Sequence, residues 1–216
     1  SKSDLSVPLP AFELQKINSL KYFVAESEKA CRAFIKYSKH LVHQNDLIIN
    51  TLNEHTHPSE LKKLIQPLNN GYDMGLISDA GLPCVADPGS DLVLLAHKLN
   101  FKIDPLVGPS SIMLALMASG LNGQNFSFHG YIPIKPEPRK SFLKSLEPNI
   151  LNHKYSQLFI ETPYRNIPFF NEILNTFNPK IYLSISANIH GINPYYKTQS
   201  IGDWKRVEIP QIIHKV

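Results

Sequence analysis

Short apolar runs alternate with helical patterns through the first half of the chain, and this alternation constrains its fold most. Segments such as EKACRAFIKYSK repeat apolar residues at helical spacing. The runs with the length and composition of buried strands are LKYFVAES, DLIINTLNEHT, DMGLIS and FKIDPLV. Strands that alternate with helices predict an α/β fold, in which helices flank a largely parallel sheet.

Composition narrows the classes of protein that such a chain can represent. Its 216 residues, 43% of them hydrophobic, can form the core of one large or two small domains. The net charge of +4 is far from the strong bias of proteins that coat nucleic acid, although it leaves room for a local basic patch. Cys31 and Cys84 are too few for a disulfide framework or a cysteine zinc site. With no apolar segment near the roughly 20 residues of a membrane span, we expect a cytoplasmic protein with no metal and no membrane partner.

The composition changes after Gly120. The segment LNGQNFSFHGYIPIKPEPRK is rich in Gly, Asn and Pro, which is typical of a linker that leads into a loop. We therefore expect two α/β domains, an N-terminal one at residues 1–122 and a C-terminal one at 123–216. The strands predicted in the second domain are QLFIE and IYLSISA, and a helix is predicted to begin at Thr162 and Pro163. The two ends lack the terminal strands of an α/β domain, so we expect both to be incomplete.

The segment SDAGLPCVADPGSD, which follows the apolar run MGLI, is rich in turn residues and short carboxylates. Open α/β sheets bind ligands beyond the carboxyl ends of their strands, where this segment and VGPSS are both predicted to lie. An ordinary connection needs only about 2–6 residues, so the length of the segment favours a small-molecule pocket. For each residue alone, a plain turn is the better interpretation, with Asx turns at Asp79 and Asp87. The phosphate-binding patterns G-x-G-x-x-G and G-x-x-x-x-G-K-[ST] are absent from the sequence, which disfavours phosphate cradling.

Four motifs in order carry a family resemblance: SDAGLPCVADPGSDLV, PLVGPSSIMLALMASGL, FSFHGYIPIK and FIETPYR. Together they resemble the tetrapyrrole methylase family of S-adenosylmethionine-dependent methyltransferases, and most closely its branch of bacterial 16S rRNA ribose 2'-O-methyltransferases. The match runs from about Lys21 to about Ala187. The resemblance implies a two-domain α/β protein, usually a homodimer, that binds S-adenosylmethionine in the cleft between its domains.

The resemblance also implies which residues hold the cofactor. Residues that match the family's cofactor loops and strand ends are Ser78, Asp79, Ala80, Gly81, Pro83, Asp87, Ser110, Ser111, Glu161 and Ala187. Of these, Ser78 to Gly81 would line the methionine and ribose side, and Pro83 with the Asp87-Pro88-Gly89 turn would shape the floor. Ser110 and Ser111 match the small residues at a helix start, whereas Glu161 and Ala187 would border the adenosine side.

Methyl transfer from a sulfonium is an in-line displacement, which needs positioning rather than a metal or a covalent intermediate. A ribose hydroxyl is a poor nucleophile and benefits from a general base within hydrogen-bond reach. Glu26 and His55 are the candidate catalytic residues, and Glu161 is a further candidate base. The plain alternative for Glu26 and for His55 is a solvated surface side chain.

An rRNA or ribosomal-subunit partner requires cations for phosphates and flat groups for bases. The candidate substrate-binding residues are Tyr131, Lys135, Arg139 and Arg165, with Lys140 beside them. The alternatives are a solvated Pro-rich loop and, for Arg165, an ion pair with a neighbouring carboxylate.

Three functions stay open on the sequence alone. The first is an RNA ribose methyltransferase, which the order of the motifs favours. The second is a methyltransferase for a tetrapyrrole or another small acceptor, which predicts an apolar, Arg-lined cleft. The third is a non-catalytic binding protein with the same fold, because Glu26-Ser27-Glu28-Lys29 stands where the rRNA branch has Glu-Asp-Thr-Arg.

Overall fold

A computed structural model of the chain describes residues 9–38 and 40–210. The chain divides into two compact units, Ser1–Ser110 and Ser111–Val216. The first unit thus ends at Ser110, before the boundary at residue 122 that the sequence predicts. The predicted domains 1–122 and 123–216, and the cofactor cleft between them, stay a prediction.

The described residues form a mixed α/β fold, as the sequence predicts. The α-helices are α1 (Ala11–Ile17), α2 (Glu28–Tyr37), α3 (Leu61–Leu64), α4 (Gln66–Asn69), α5 (Ser90–Lys98), α6 (Ser111–Ser119), α7 (Pro136–His153), α8 (Pro163–Thr176) and α9 (Ile201–Trp204). The strands are β1 (Tyr22–Ala25), β2 (Ile48–Thr51), β3 (Met74–Ile77), β4 (Phe126–Tyr131), β5 (Ser156–Ile160), β6 (Tyr182–Ala187) and β7 (Tyr195–Ser200). Short 3-10 helices lie at Gln44–Asp46 and Pro58–Glu60. In this part of the chain, no helix has both the length and the apolar character needed to cross a membrane.

The first unit is built on a three-stranded parallel sheet in the order β2-β1-β3. Successive side chains of β1 point to opposite faces of the sheet. Phe23 and Ala25 pack with Cys31 and Ile35 of α2, whereas Val24 belongs to a cluster with residues of α3 and α5. Both faces of β1 are therefore buried, which is the three-layer packing that its unbroken apolar run predicts.

The segment FKIDPLV is not a strand in the structure, so the predicted fourth strand is wrong. Its polar groups bond to α1 instead of to a neighbouring strand. The Val107 N–H donates to Glu13 Oε1 over 3.0 Å, and Lys16 Nζ lies 3.1 Å from Asp104 Oδ2. Pro105 has no N–H to offer to a ladder. The segment is thus held outside any sheet, against a helix that the sequence did not predict.

The second unit contains two two-stranded sheets, a parallel pair of β4 and β5 and an antiparallel pair of β6 and β7. Its core lies between α7, α8, α9 and the strands. Trp204 is fully buried there, and its Nε1–H donates to the Leu183 carbonyl over 2.9 Å. The predicted linker actually contains β4, because the Ser156 hydroxyl and backbone N–H bind the carbonyls of Asn122 and Asn125 and align β5 beside it.

Candidate functional site

The carboxyl ends of the three strands in the first unit lie side by side. The register pairs Ala25 of β1 with Thr51 of β2 and with Ile77 of β3. The residues that immediately follow β1 and β3 are Glu26 and Ser78, and the register brings these two predicted residues to the same edge of the sheet. Open α/β sheets bind their ligands at this edge.

His55 also follows one of these strands, three residues beyond the buried Leu52 that comes after β2, with Asn53 in the turn. Its side chain is 83% exposed, and its Nε2 lies 3.5 Å from Glu54 Oε1. The Asn53 carboxamide accepts the His55 backbone N–H over 2.9 Å. The turn is therefore fixed by its own hydrogen bonds, while the imidazole stays open to solvent.

Residues Ser78–Asp91, called here the edge loop, hold an unusual concentration of left-handed backbone. The φ angles are +74° at Gly81, +67° at Cys84, +60° at Ala86 and +130° at Gly89. The two glycines were predicted as turn residues, but nothing in the sequence indicates that Cys84 and Ala86 share this conformation. Non-glycine residues in the left-handed region persist only where the surrounding structure holds them, and such strain clusters at ligand sites.

Packing against β3 explains why the edge loop keeps this shape. A Cβ added at Gly89 would lie 2.8 Å from Leu76 Cδ2 and 3.1 Å from Cys84 Sγ, so only glycine fits there. A Cβ at Gly108 would lie 3.1 Å from Leu82 Cδ2, so the turn that leads to Ser110 packs directly against the edge loop. The two turns that the sequence singled out are thus neighbours in the first unit.

The polar groups of the edge loop lie close enough to affect one another. Burial raises the pKa of the Asp87 carboxyl, the Ser78 hydroxyl opposes this shift, and the charge of Asp79 adds to it. Burial also raises the pKa of the Cys31 thiol to about 12, and the charge of Asp79 is a smaller contribution in the same direction.

Ser78 Oγ is buried, and among the described residues it makes no well-aligned hydrogen bond, although it lies near the Asp87 carboxyl. The edge loop also presents Asp79, Ala80 and Gly81 at the surface, whereas Pro83 is half-buried. Carboxylates beside a buried hydroxyl that lacks a well-aligned partner suit a ligand that carries hydrogen-bond donors or positive charge.

The second unit pairs two of the predicted site residues with each other. Glu161 follows β5, and its Oε1 lies 2.6 Å from Arg165 Nη2 in the first turn of α8. The same oxygen accepts the Thr162 N–H over 2.8 Å, and the Glu161 side chain is only 8% exposed. Arg165 therefore pairs with a neighbouring carboxylate, which is the alternative that the sequence left open, and the pair fixes the start of α8.

A groove of about 500 Å³ lies beside this ion pair, and it is called here the Tyr131 groove. Its lining residues are Tyr131, Ile132, Pro133, Ile134, Thr162 and Arg165. Two predicted substrate residues, Tyr131 and Arg165, are thus brought together. The sequence did not predict the apolar wall between Tyr131 and Lys135, in which Ile132 is buried in the core and Ile134 is exposed.

The remaining cations differ in what they contact. Arg139 is largely buried, forms an ion pair with Glu172 of α8 and donates from Nη1 to the Ile134 carbonyl over 3.0 Å. Lys135 and Lys140 are exposed, and Lys140 lies in a separate groove between α7 and α8 that Glu172 also lines. Arg139 therefore fixes the position of the Tyr131 groove, and the two lysines are the exposed cations of this segment.

Ser111 and Ala187 lie in the second unit as well. Ser111 is the first residue of α6 and is exposed, and Ala187 is the last residue of β6, opposite Tyr195 of β7. Within the described ranges, no three His, Cys, Asp or Glu side chains cluster in a way that could hold a metal ion.

Comparison with known proteins identifies relatives of the chain. Proteins named "Ribosomal RNA small subunit methyltransferase I" match from Buchnera aphidicola subsp. Schizaphis graminum, with 34% identity over 142 residues, and from Halalkalibacterium halodurans, with 32% over 142 residues. These matches cover 66% and 65% of this chain and 48% of each relative. The Vibrio cholerae protein of the same name is 38% identical over 114 residues, which is 53% of this chain and 38% of that protein. The chain thus spans about half the length, or less, of these curated relatives. No protein-family model matches it.

Two solved structures resemble this chain in fold. The methyltransferase CobJ superposes with a TM-score of 0.51 at 14% identity, over 86% of this chain and 88% of CobJ. The cobalt precorrin-4 methyltransferase CbiF gives a TM-score of 0.51 at 12% identity, over 89% of this chain and 80% of CbiF. At this identity the likeness concerns the fold alone. Together with the sequence relatives, it confirms the predicted resemblance to the tetrapyrrole methylase family.

Proposed function

We propose that the chain is an S-adenosylmethionine-dependent methyltransferase that acts on ribosomal RNA, with a ribose 2'-hydroxyl as the acceptor. The observation that carries this proposal is the edge loop, a strained and polar segment at the ligand-binding edge of a parallel sheet. The names of the relatives support the choice of substrate. The proposal includes a cytoplasmic location, a homodimer, and ribosomal RNA or a ribosomal subunit as the partner.

The residues of the edge loop suit this cofactor. S-adenosylmethionine carries an ammonium group, ribose hydroxyls and a cationic sulfur, and it supplies the electrophilic methyl group when bound. Asp79 and Asp87 are acceptors for such donors, and the buried Ser78 hydroxyl, which makes no well-aligned hydrogen bond, is a further polar contact. The left-handed backbone at Gly81 lets the chain approach a ligand closely, because no side chain intervenes.

In the second unit, we assign Ser111, Glu161 and Ala187 to the cofactor as well. Arg165 and the Thr162 N–H already fix the position of the Glu161 carboxylate, so little conformational freedom is lost when it contacts the cofactor. For the general base we favour Glu26, because the strand register places it at the same edge as Ser78. His55 stays the second candidate, since its imidazole is 83% exposed.

Calorimetry with S-adenosylmethionine tests the cofactor assignment. Asp79→Asn removes a carboxylate of the edge loop, and Asp73→Asn removes an exposed carboxylate at the opposite end of β3. We expect saturable binding by the wild type, about tenfold weaker binding by Asp79→Asn and unchanged binding by Asp73→Asn. Absence of binding by the wild type would contradict the proposed function and favour the non-catalytic alternative.

A labelled-methyl assay tests the acceptor. The wild type is incubated with S-adenosylmethionine labelled at the methyl group and either small ribosomal subunits or a free tetrapyrrole. The proposal requires label in ribose 2'-O-methyl groups of the RNA. Label in the tetrapyrrole alone would establish the small-acceptor alternative instead.

A further inference from the structure

One exposed tyrosine lines the Tyr131 groove, and a second lies in the chain between two other lining residues, Thr162 and Arg165. Tyr131 is the last residue of β4 and is 55% exposed, and Tyr164 is in the first turn of α8 and is 79% exposed. Tyr131 lines the groove. Thr162 and Arg165 also line it, and Tyr164 lies between these two residues in the chain. Exposed aromatic rings of this kind offer flat apolar surface to a ligand.

Neither ring contacts another ring or a cation in the part of the chain that the structure describes. Tyr22 and Tyr72 provide a contrast, because their rings lie 5.1 Å apart and Lys21 Nζ lies 5.9 Å from the Tyr22 ring. The faces of Tyr131 and Tyr164 are therefore available to a ligand.

The backbone that carries Tyr164 is held firmly, although its ring is free. Pro163 fixes the first helical φ angle, and the Arg165 N–H donates to the Thr162 carbonyl over 2.9 Å. The Arg165 side chain binds both Glu161 and Thr162 Oγ1. A ring on such a turn loses little conformational freedom when a flat ligand stacks on it, which favours binding.

The charge around the groove favours a polyanion. The carboxylates of Glu161 and Glu172 are neutralised by ion pairs with Arg165 and Arg139. Lys135 follows the apolar wall directly and is exposed. Free aromatic faces beside an exposed cation and neutralised carboxylates are the elements of a single-stranded nucleic acid site.

We propose that Tyr131 and Tyr164 stack on unpaired bases of the RNA substrate, while Lys135 contacts its phosphates. This inference rests on the proposed function, because it concerns how the same acceptor is held. It commits to single-stranded RNA, since bases in a duplex are already stacked on each other and A-form helices hide their edges in a deep groove. Tyr164 thereby becomes a substrate-binding residue that the sequence motifs did not assign.

Fluorescence anisotropy of the whole chain with a labelled oligoadenylate, single-stranded or paired with oligouridylate, tests the inference. We expect the wild type to prefer the single strand, and Tyr164→Ala and Tyr131→Ala each to weaken its binding about tenfold. Tyr164→Phe keeps the ring and should bind like the wild type. Tyr182→Ala is the matched control, because Tyr182 is 62% exposed and lies on β6, outside the lining of the groove.

The salt dependence separates stacking from charge. Tyr164→Ala should give the same slope of binding constant against salt as the wild type, because no ionic contact is lost. Lys135→Ala should reduce this slope by about 0.7, the value for one phosphate contact on a single strand. Equal slopes for the wild type and Lys135→Ala would remove the lysine from the inference.

Calorimetry with S-adenosylmethionine on the same preparations distinguishes the two levels of the proposal. If the cofactor binds but Tyr164→Ala binds the oligonucleotide as tightly as the wild type, the stacking inference is wrong and the proposed function stands. Equal affinity for duplex and single strand, or absence of RNA binding by the wild type, also overturns the inference. Failure of the wild type to bind the cofactor contradicts the proposed function itself.

Discussion

The edge loop of the first unit and the Tyr131 groove of the second differ in whether their polar groups are paired. The edge loop leaves the buried Ser78 hydroxyl without a well-aligned partner and keeps two non-glycine residues in left-handed conformations. Beside the groove, the charges of Glu161 and Arg165 satisfy each other. Unsatisfied buried groups cost free energy and are rare in native proteins, so the loop carries a cost that the groove does not.

This difference indicates two kinds of recognition. A segment with a buried hydroxyl that lacks a well-aligned partner, and with a strained backbone, gains most from a ligand that completes its hydrogen bonds. A groove whose charges are already paired recognises a ligand through exposed rings and apolar side chains. The comparison therefore assigns directional contacts to the edge loop and stacking contacts to the groove, and variants in each region test the physical basis of that assignment.

The largest effect is expected at Gly89, where strain and packing coincide. Gly89→Ala places a Cβ 2.8 Å from Leu76 Cδ2 at a φ of +130°, so it should lower the free energy of unfolding by about 3 kcal/mol. Gly81→Ala in the same loop is the control, because its φ is +74° but nothing lies within 4 Å of the added Cβ. We expect about 1 kcal/mol there. Urea unfolding measures both, and equal losses would show that packing of the loop against β3 contributes nothing.

A smaller loss is expected from the ion pair behind the groove. Arg139→Ala leaves Glu172 without its partner between α7 and α8 and should lower the free energy of unfolding by about 2 kcal/mol. Lys135→Ala removes an exposed cation of the same segment and should change it by less than about 0.5 kcal/mol. If Arg139→Ala unfolds like the wild type, the groove is not positioned by this pair, and its charges cannot be regarded as satisfied.

Elements with strong local patterns were predicted correctly from the sequence. The apolar runs gave β1, β2 and β3, and α8 begins at Pro163 as expected, although Thr162 makes no side-chain capping bond. The errors came from long-range pairing. FKIDPLV reads as a strand by composition, but a strand requires a partner, and its Val107 N–H is taken by Glu13 from a segment distant in sequence. The strand β4 was not predicted because the segment around it is rich in Gly and Asn, and its partner strand β5 comes later in the chain.

The site shows the same limit. Motif order located the edge loop and Arg165, because residue identity alone carries that signal. The partner of Arg165, the left-handed conformation at Cys84 and the exposure of Tyr164 depend on the folded geometry, which no local pattern encodes. Local sequence therefore predicts which residues belong to the candidate site, whereas the distinction between paired and unpaired polar groups requires the structure.

The smallest effect concerns the pH dependence of the edge loop. Burial raises the pKa of Asp87 above the usual 3.8, so the folded protein holds this proton more tightly than the unfolded chain does. The stability that this group contributes is therefore fully present below pH 3.8 and is lost as the pH rises through the folded-state pKa. Asp87→Asn, which carries no charge, should flatten the pH profile in that range and raise the free energy of unfolding at neutral pH by less than about 1 kcal/mol. Urea unfolding across this pH range measures both changes. A variant that is less stable than the wild type at neutral pH would show that the Asp87 carboxylate is satisfied within the loop, and the contrast with the groove would then rest on Ser78 and the strained backbone alone.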